Sequence, residues 1–306
     1  MSKDTFHAAF DDIRVEIFDN TVSGIKQFIS VIMKEGSTRD TTVIGTESTG
    51  VYHLLLSQQL KQDNWNIKVI NPIHTHRMID SSLRRVKTDK HDALSIRRTL
   101  LTGVGYTYTD TPDILALKTL VQERESLCKM RASTKQRMHA HKIREKASLL
   151  NLHDSFSGPL KLLSYEIREI EKMMNGYLPD TQGLLRSIPG VGKVTAGTLV
   201  ATIGDIHRFS NPEKLVAYVG LDPRVHQSGT SIHGKGYISK RGNRYLRYIL
   251  FNAAFIAKRR NPLLKKYFEK KIGEGKHYFS ALVATERKLI HLIYAVWTRG
   301  TPFEVR

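Results

Sequence analysis

The 306-residue sequence contains a single cysteine, Cys128, and no long hydrophobic run. One cysteine excludes an internal disulfide and a zinc site built from cysteines, and it fits a reducing compartment. No apolar stretch approaches the roughly 18 residues that a membrane-spanning helix needs, and the first residues do not have the pattern of a secretory signal peptide. We therefore expect a cytoplasmic protein with no membrane partner.

Acidic residues are scarce in the last third of the chain. The whole chain has 48 Lys and Arg against 29 Asp and Glu, which gives a net charge of +19. Residues 1–110 contribute +1, residues 111–223 contribute +4, and residues 224–306, with only four acidic residues, contribute +14. Because a field this concentrated is costly to maintain without a polyanion, the distribution predicts that the C-terminal part binds nucleic acid.

The first 110 residues alternate between strand and helix patterns. Two stretches of alternating hydrophobicity, Thr5–Phe10 and Ile13–Phe18, predict a hairpin that turns at Asp11 and Asp12. A helix at 22–34, a strand at 41–46, a helix at 51–61 and a strand at 67–70 follow. This order predicts an α/β sheet with a parallel component, in which ligands gather at the carboxyl ends of strands. Glu47 stands at such an end.

Two carboxylates open a later helix. Thr88 is a predicted N-cap, and the segment up to Leu101 predicts a helix with Asp89 and Asp92 in its first turn. At 100° per residue, both carboxylates fall on the face that also carries three apolar residues, Ala93, Ile96 and Leu100. Burying a carboxylate costs several kcal/mol unless it is paired or bound to a metal. The pattern therefore has two interpretations: carboxylates that only favour the helix dipole, or carboxylates that do chemistry.

The middle of the chain predicts helices with little else. Pro112 to about Leu150 has the pattern of one long, highly charged helix with a narrow apolar seam. Such a helix is not stable alone and needs a partner helix or a second subunit. A second predicted helix, Leu160–Met174, could fold back on it.

Glycines and basic residues dominate the sequence after Pro179. Ile188-Pro189-Gly190-Val191-Gly192-Lys193 predicts a hairpin that opens a helix and resembles the second half of a helix-hairpin-helix, whose backbone amides and lysine can hold a phosphate. The alternative is a tight turn between two packed helices. Residues 224–239 predict a loop with Ser228 near its centre, and a strongly basic helix, Arg244–Arg260, follows.

Several of these motifs together resemble one family. The acidic motifs of DEDD transposases, the insertion-sequence 110/1111 class, are similar to Thr46-Glu47-Ser48-Thr49-Gly50 and Thr88-Asp89-Lys90-His91-Asp92-Ala93. The C-terminal transposase domain of that class is similar to four later stretches: Ile188–Gly192, Gly220–Pro223, Gln227-Ser228-Gly229 and Ile238–Arg247. Each motif is weak alone, but in series they cover nearly the whole chain in order.

The resemblance implies a fold and a reaction. It implies an α/β RuvC-like (ribonuclease-H-like) domain at 1–110, a helical coiled-coil insertion at 111–178, and a mainly α-helical, basic transposase domain with a helix-hairpin-helix-like motif at 179–306. In the family, one Glu and three Asp bind a divalent metal, Mg²⁺ or Mn²⁺, beside a serine that attacks DNA and stays covalently joined until strand exchange. By position, Glu47, Asp89 and Asp92 are metal ligands and Ser228 is the nucleophile.

The resemblance also implies partners. They are DNA, a structured guide RNA encoded by the same insertion sequence, and further copies of the chain in a dimer or tetramer that assembles the catalytic centre from different subunits. A nucleoid-associated location in a prokaryotic cytoplasm follows. The predicted nucleic-acid-binding residues are Lys193, Lys240, Arg241, Arg244 and Arg247.

The family's first carboxylate has no counterpart in this sequence. The family places it on the first strand, in a pattern like Gly-Ile-Asp-Val-Ser-Lys, and this register puts Met1 at the valine. Asp4, Asp11 and Asp12 are poor substitutes, because they lie on the opposite strand face or in the turn. Two explanations are open. In the first, the start of the sequence is misassigned or truncated and the protein is active, which the survival of every other motif favours. In the second, the sequence is a decayed copy whose product binds nucleic acid but cuts poorly.

Two other classes of function stay open. One is a non-catalytic nucleic-acid-binding protein, for which the metal ligands would be dispensable. The other is a Holliday-junction resolvase or another RuvC-like nuclease that hydrolyses DNA without using Ser228, although the C-terminal motifs argue against it.

Overall fold

A computed structural model describes residues 2–48, 50–75, 88–146, 152–177, 180–223 and 238–304. The chain divides into two compact units, Met1–Thr109 and Asp110–Arg306. This division lies one residue from position 110, and the predicted domains 1–110, 111–178 and 179–306 stay predictions. Over the described ranges, no helix has both the length and the apolar character needed to cross a lipid bilayer.

The first unit begins with the predicted hairpin and a helix packed on it. These elements are β1 (Thr5–Ala9), β2 (Val15–Asp19) and α1 (Val22–Lys34). The strands pair antiparallel with Phe6 opposite Phe18, and both rings pack against Phe28 of α1 at centroid distances of 5.4 to 5.7 Å. Asp11 closes the turn, because its side chain accepts hydrogen bonds from two backbone N–H groups at 2.6 and 2.7 Å. The predicted hairpin is therefore confirmed.

A second sheet in the same unit contains the parallel strands. Its elements and the helices around it are β3 (Val43–Glu47), α2 (His53–Gln62), β4 (Asn66–Ile70), α3 (Asp89–Leu101) and β5 (Tyr106–Thr107). Strands β3 and β4 are parallel, and the short β5 joins β4 antiparallel. The sequence pattern predicted this α/β order correctly, including the parallel component.

The two sheets stay separate and border one cavity of about 280 Å³. Consecutive residues at β1 and β3, positions 6–10 and 42–46, line it, and Phe10 and Thr42 lie one residue outside these strands. Since neighbouring residues of a strand point to opposite faces, a cavity lined by consecutive residues lies along the strand edge. Helix α3 covers it with Ala93, Ile96 and Leu100. Within the described residues, neither β1 nor β3 pairs with another strand along this edge.

The second unit is helical. Its helices are α4 (Pro112–Arg144), α5 (Ser157–Gly176), α6 (Thr181–Arg186), α7 (Lys193–Ile203), α8 (Pro212–Val219), α9 (Arg244–Arg260), α10 (Pro262–Gly273) and α11 (Tyr278–Arg299), with short 3₁₀ turns at His153–Phe156 and Ile206–Arg208. Helix α5 packs along α4, as the narrow seam requires. Leu117 of α4 and Met174 of α5 are buried in the same core as α7, α9 and α11, so this helix pair is rooted in the C-terminal core. A coiled coil stays a prediction.

The glycine hairpin joins α6 to α7. Gly190 has a φ of +109°, and a Cβ at this position would lie 2.5 Å from the Cβ of Ala257 in α9. A glycine is required here because the turn packs directly on the backbone of another helix. This contact supports the interpretation as a tight turn between packed helices, and the helix-hairpin-helix stays a prediction.

Candidate active site and nucleic-acid interface

Glu47 ends β3, at the carboxyl edge of the parallel pair. Its Oε2 accepts a hydrogen bond of 2.9 Å from the hydroxyl of Thr75, which is 2% exposed. A buried donor fixes the orientation of the carboxylate in the way that groups behind a metal ligand do. Glu47 is therefore a carboxylate held at the sheet edge where α/β folds place their ligands.

Asp89 and Asp92 occupy the first turn of α3. Thr88 caps this helix as predicted, because its Oγ1 accepts a 3.3 Å hydrogen bond from the backbone N–H of His91. The Asp89 side chain is 62% exposed, and its Oδ2 lies 3.9 Å from Nδ1 of His7 in β1. Asp92 is half-buried. Both carboxylates interact favourably with the positive end of the helix dipole, but Asp92 is less exposed than Asp89.

The three carboxylates belong to elements that touch one another, since α3 packs against β1, β3 and β4. In the described part of the chain, no three His, Cys, Asp or Glu side chains are grouped closely enough to hold a metal ion. The donor chemistry nevertheless fits Mg²⁺ or Mn²⁺. Mg²⁺ prefers oxygen ligands and usually takes one or two carboxylates, with water and substrate phosphate completing its shell. Glu47, Asp89 and Asp92 are the residues that could supply them.

Ser228 lies in segment 224–237, outside the described residues, but both ends of this segment are described. Pro223 and Ile238 form an antiparallel β-bridge. The backbone N–H of Ser239 donates to the Asp222 carbonyl at 2.8 Å, and that of Lys240 donates to the Gly220 carbonyl at 2.9 Å. We call residues 218–223 and 238–242 the loop stem. The stem holds the two ends of the Ser228 segment side by side.

Two glycines let the two sides of the stem approach closely. Gly220 has a φ of +81°, and a Cβ on Gly242 would lie 1.9 Å from the carbonyl oxygen of Tyr218. The guanidinium of Arg247 joins the two sides, because its Nη1 donates to the carbonyls of Val219 at 2.9 Å and Gly242 at 2.7 Å. Arg247 was predicted to bind nucleic acid. These bonds give it a role inside the fold of the stem, and burial lowers its pKa, while its contact with nucleic acid stays a prediction.

Glu286 of α11 was missed from the sequence. Its side chain is 1% exposed, and its Oε1 has no hydrogen-bond partner within the described residues. Burial raises the pKa of Glu286 to about 8, although the positive charges of Arg247 and Arg287 act in the opposite direction. Helical spacing from Leu282 and Leu289, both fully buried, was the signal that could have identified it as a carboxyl on a core face.

The other predicted nucleic-acid-binding residues are at the surface. Lys240 and Arg241 in the stem, and Arg244 in the first turn of α9, are exposed. Lys193, also exposed, is the first residue of α7 and lines a cavity of about 280 Å³ with two further cations, Arg168 and Lys172. Exposed cations at helix starts and loop ends are suited to phosphate oxygens.

Comparison with known proteins identifies relatives for both halves of the chain. Residues 1–141 match a family model of DEDD transposases of the IS110 type, and residues 182–269 match a model described as "Transposase IS116/IS110/IS902 family". The two segments together span about three quarters of the chain. The first segment contains Glu47, Asp89 and Asp92, and the second contains Ser228 and Arg247.

Several individual proteins are similar along the chain. The pilin gene-inverting protein of Moraxella bovis is 28% identical over 318 residues, which covers all of this chain and 96% of the relative. The transposase for insertion sequence element IS1328 of Yersinia enterocolitica is 26% identical over 290 residues, 85% of each chain. The transposase for IS1111A of Coxiella burnetii is 41% identical over 118 residues, 38% of this chain and 32% of the relative.

Proposed function

The chain belongs to the IS110-type family of transposases, and from this premise we propose that it cleaves and exchanges DNA strands with Ser228 as nucleophile and with a divalent metal held by Glu47, Asp89 and Asp92. Membership makes the chain a transposase/recombinase enzyme that acts on DNA. The proposal adds the nucleophile, the metal ligands and the roles of the residues around them.

The proposed reaction conserves the number of phosphodiester bonds. The Ser228 Oγ attacks a phosphorus of DNA, a bond from that phosphorus to one strand end breaks, and the leaving oxygen takes up a proton. A hydroxyl at another strand end then attacks the same phosphorus and releases the serine. A Mg²⁺ or Mn²⁺ ion, when bound, polarises the phosphodiester and stabilises developing negative charge. Serine is a weak nucleophile at its free pKa, so it needs activation by such neighbours.

Residues of the protein position the candidate metal ligands and the serine segment. Thr75 orients Glu47, the Thr88 cap fixes the start of α3 beneath Asp89 and Asp92, and the loop stem brings together the ends of the segment that contains Ser228. One observation carries the proposal. The three carboxylates lie in the first unit, and the serine segment held by the loop stem lies in the second. The two family models match the chain in the same order.

The names of the relatives support a reaction that rearranges DNA. One relative is named for inverting a pilin gene and others for transposing insertion sequences. Both outcomes require strand exchange between two DNA sites, and a covalent protein–DNA intermediate keeps the broken ends from separating. We include a structured guide RNA and a dimer or tetramer in the proposal, because two DNA sites and a +14 C-terminal segment suit several nucleic acid strands.

The nucleophile is tested by trapping the covalent intermediate. With DNA and RNA from the native insertion sequence and Mg²⁺, we expect the chain to form a protein–DNA adduct that survives denaturation. Ser228→Ala should abolish the adduct while DNA affinity stays within about twofold. Ser231→Ala, in the same segment, is the matched control and should form the adduct. Adducts that persist in Ser228→Ala would exclude this serine.

The metal ligands are tested by binding rather than by activity. Asp92→Asn and Glu47→Gln should each weaken Mn²⁺ binding, followed by electron paramagnetic resonance, by about tenfold or more. Asp40→Asn, at an exposed acidic residue of the same unit, is the control and should bind Mn²⁺ like the parent chain. If all three variants bind Mn²⁺ equally and no adduct forms, the chain is a nucleic-acid-binding remnant and the enzymatic proposal is wrong.

A further inference from the structure

One exposed face of α9 carries arginine and aromatic side chains. At 100° per residue, five exposed residues fall within about 80° of one another: Arg244, Tyr248, Asn252, Phe255 and Arg259. We call them the α9 stripe. The opposite face of the helix is buried in the core of the second unit.

We propose that the α9 stripe is a stacking surface for unpaired nucleobases of a DNA or RNA strand. The proposal rests on the proposed function only in taking nucleic acid as the ligand. It adds that the side chains of this helix face stack on the planar faces of unpaired bases, in addition to any contact with phosphates.

Tyr248 is the main platform of the stripe. Tyr248 is 60% exposed, and its ring stacks on the ring of the buried Tyr245 at a centroid distance of 6.4 Å and an interplanar angle of 25°. Tyr245 is itself fixed, because its hydroxyl accepts a 2.6 Å hydrogen bond from Arg124 of α4. A ring held in place before binding loses little conformational entropy when a base stacks on it. Tyr248 is therefore a preorganised aromatic surface that faces solvent.

Phe255 and Arg259 form the second platform. The guanidinium of Arg259 lies over the Phe255 ring, 4.7 Å from its centroid. Both an aromatic ring and a guanidinium plane are surfaces on which splayed bases stack. Tyr248 and Phe255 are seven residues apart, or about 10 Å along the helix, which matches about three base steps of roughly 3.4 Å.

The charges at the ends of the stripe select a polyanion. Arg244 and Arg259 are separated by about 22 Å along the helix and bracket both aromatic residues. The exposed Lys240 and Arg241 extend the positive surface beyond Arg244. A second copy of the chain docking through the same stripe would oppose arginine to arginine, which costs energy. A nucleic acid strand neutralises these charges and supplies π faces for Tyr248 and Phe255.

Unpaired bases fit this surface better than a duplex does. In a duplex the base faces are already stacked on one another, so the aromatic rings of the stripe have no partner there. Single strands and loops expose those faces, and stacking on an aromatic residue contributes a sequence-independent gain for each base. The stripe should therefore discriminate single-stranded from duplex ligands.

The test is equilibrium binding by the full chain in EDTA, so that no strand is cut. The ligands are a 12-nucleotide strand carrying 2-aminopurine and a duplex of the same sequence. Tyr248→Ala should weaken binding of the single strand by about fivefold to a hundredfold and duplex binding by less than twofold. Tyr248→Phe should retain both affinities, and Tyr248→Leu, which keeps the apolar bulk without a π face, should behave like the alanine variant.

A matched control and two further readouts separate stacking from a structural effect. Tyr165→Ala removes an aromatic residue of similar exposure, 51%, from α5 and should not change either affinity. Quenching of 2-aminopurine should persist in Tyr248→Phe and disappear in Tyr248→Ala. The salt dependence of single-strand binding should stay unchanged in Tyr248→Ala, whereas Arg244→Gln should reduce its slope by about 0.7.

Two outcomes would overturn the inference. Equal losses on single strand and duplex would show that Tyr248 supports the fold or contacts phosphates. If Tyr248→Ala binds the single strand like the parent chain but sediments with a lower mass than the parent, the stripe is an interface between protein chains. Neither outcome affects the adduct assay with Ser228→Ala, so failure of this inference is distinguishable from failure of the proposed function.

Discussion

The buried carboxyl of Glu286 should make the stability of the second unit depend on pH. In the native state burial raises its pKa to about 8, from an ordinary value of 4.5. Between these two values the native state holds a proton that the unfolded chain has lost. The native state is therefore most favoured below pH 4.5, and this contribution is lost as the pH rises towards 8.

The magnitude follows from the pKa difference. Each pKa unit corresponds to about 1.4 kcal/mol, so from pH 5 to pH 8 the parent chain should lose about 3 kcal/mol of stability through Glu286. Glu286→Gln replaces the carboxyl with a neutral amide of almost the same shape. Relative to the parent, the variant should therefore gain about 3 kcal/mol between pH 5 and pH 8, which for a unit of this size corresponds to roughly 6 to 12 °C in Tm.

The measurement is urea unfolding at pH 5, 6, 7 and 8, followed by tryptophan fluorescence. The chain has two tryptophans, and Trp297 lies in α11 of the second unit, so a Trp65→Phe background reports on that unit alone. Glu269→Gln, at an exposed glutamate of α10, is the control and should differ from the parent by a constant amount.

A constant difference between Glu286→Gln and the parent across this pH range would refute the reasoning. It would mean that Glu286 stays ionised as the partner of Arg247 throughout. A difference that shrinks with rising pH would contradict it more strongly, because the charged form would then be the one that the native state favours.

Two further substitutions test the packing and the orientation of the candidate site. Gly190→Ala should destabilise the second unit by about 3 kcal/mol in urea unfolding, because the new Cβ would meet the backbone of Ala257 at 2.7 Å with φ at +109°; unchanged stability would mean that the hairpin moves freely. Thr75→Val removes the 2.9 Å hydrogen bond to Glu47 and should lower Mn²⁺ affinity about tenfold without unfolding the first unit, whereas Thr75→Ser should keep it.

Local patterns predicted most of the secondary structure, because helices, strands and caps depend on residues only a few positions apart in the sequence. The helices Val22–Lys34 and Arg244–Arg260 were predicted at their observed bounds, and Thr88 caps α3 as expected. Periodicity and capping depend on neighbours three or four residues away, and such neighbours are visible in the sequence. The family resemblance rests on the same kind of short motif.

Arg247 shows what local patterns leave out. Its sequence context, a basic helix start after a glycine-rich loop, is the context of a phosphate-binding residue. The structure adds two intramolecular partners, the carbonyls of Val219 and Gly242, one of which lies 28 residues away along the chain. Only the packing of α8 against the stem brings that carbonyl within reach, so no pattern within the helix could reveal it.

Composition and order by themselves determined that the chain has an α/β part followed by a basic helical part, and they placed the candidate carboxylates and the candidate serine in different parts. Tertiary structure alone decided three other features: the cavity between β1 and β3, the burial of Glu286, and the stacking of Tyr248 on a fixed Tyr245. The physical reason is that burial and orientation depend on residues far apart in sequence, whereas charge and periodicity are properties of the chain itself.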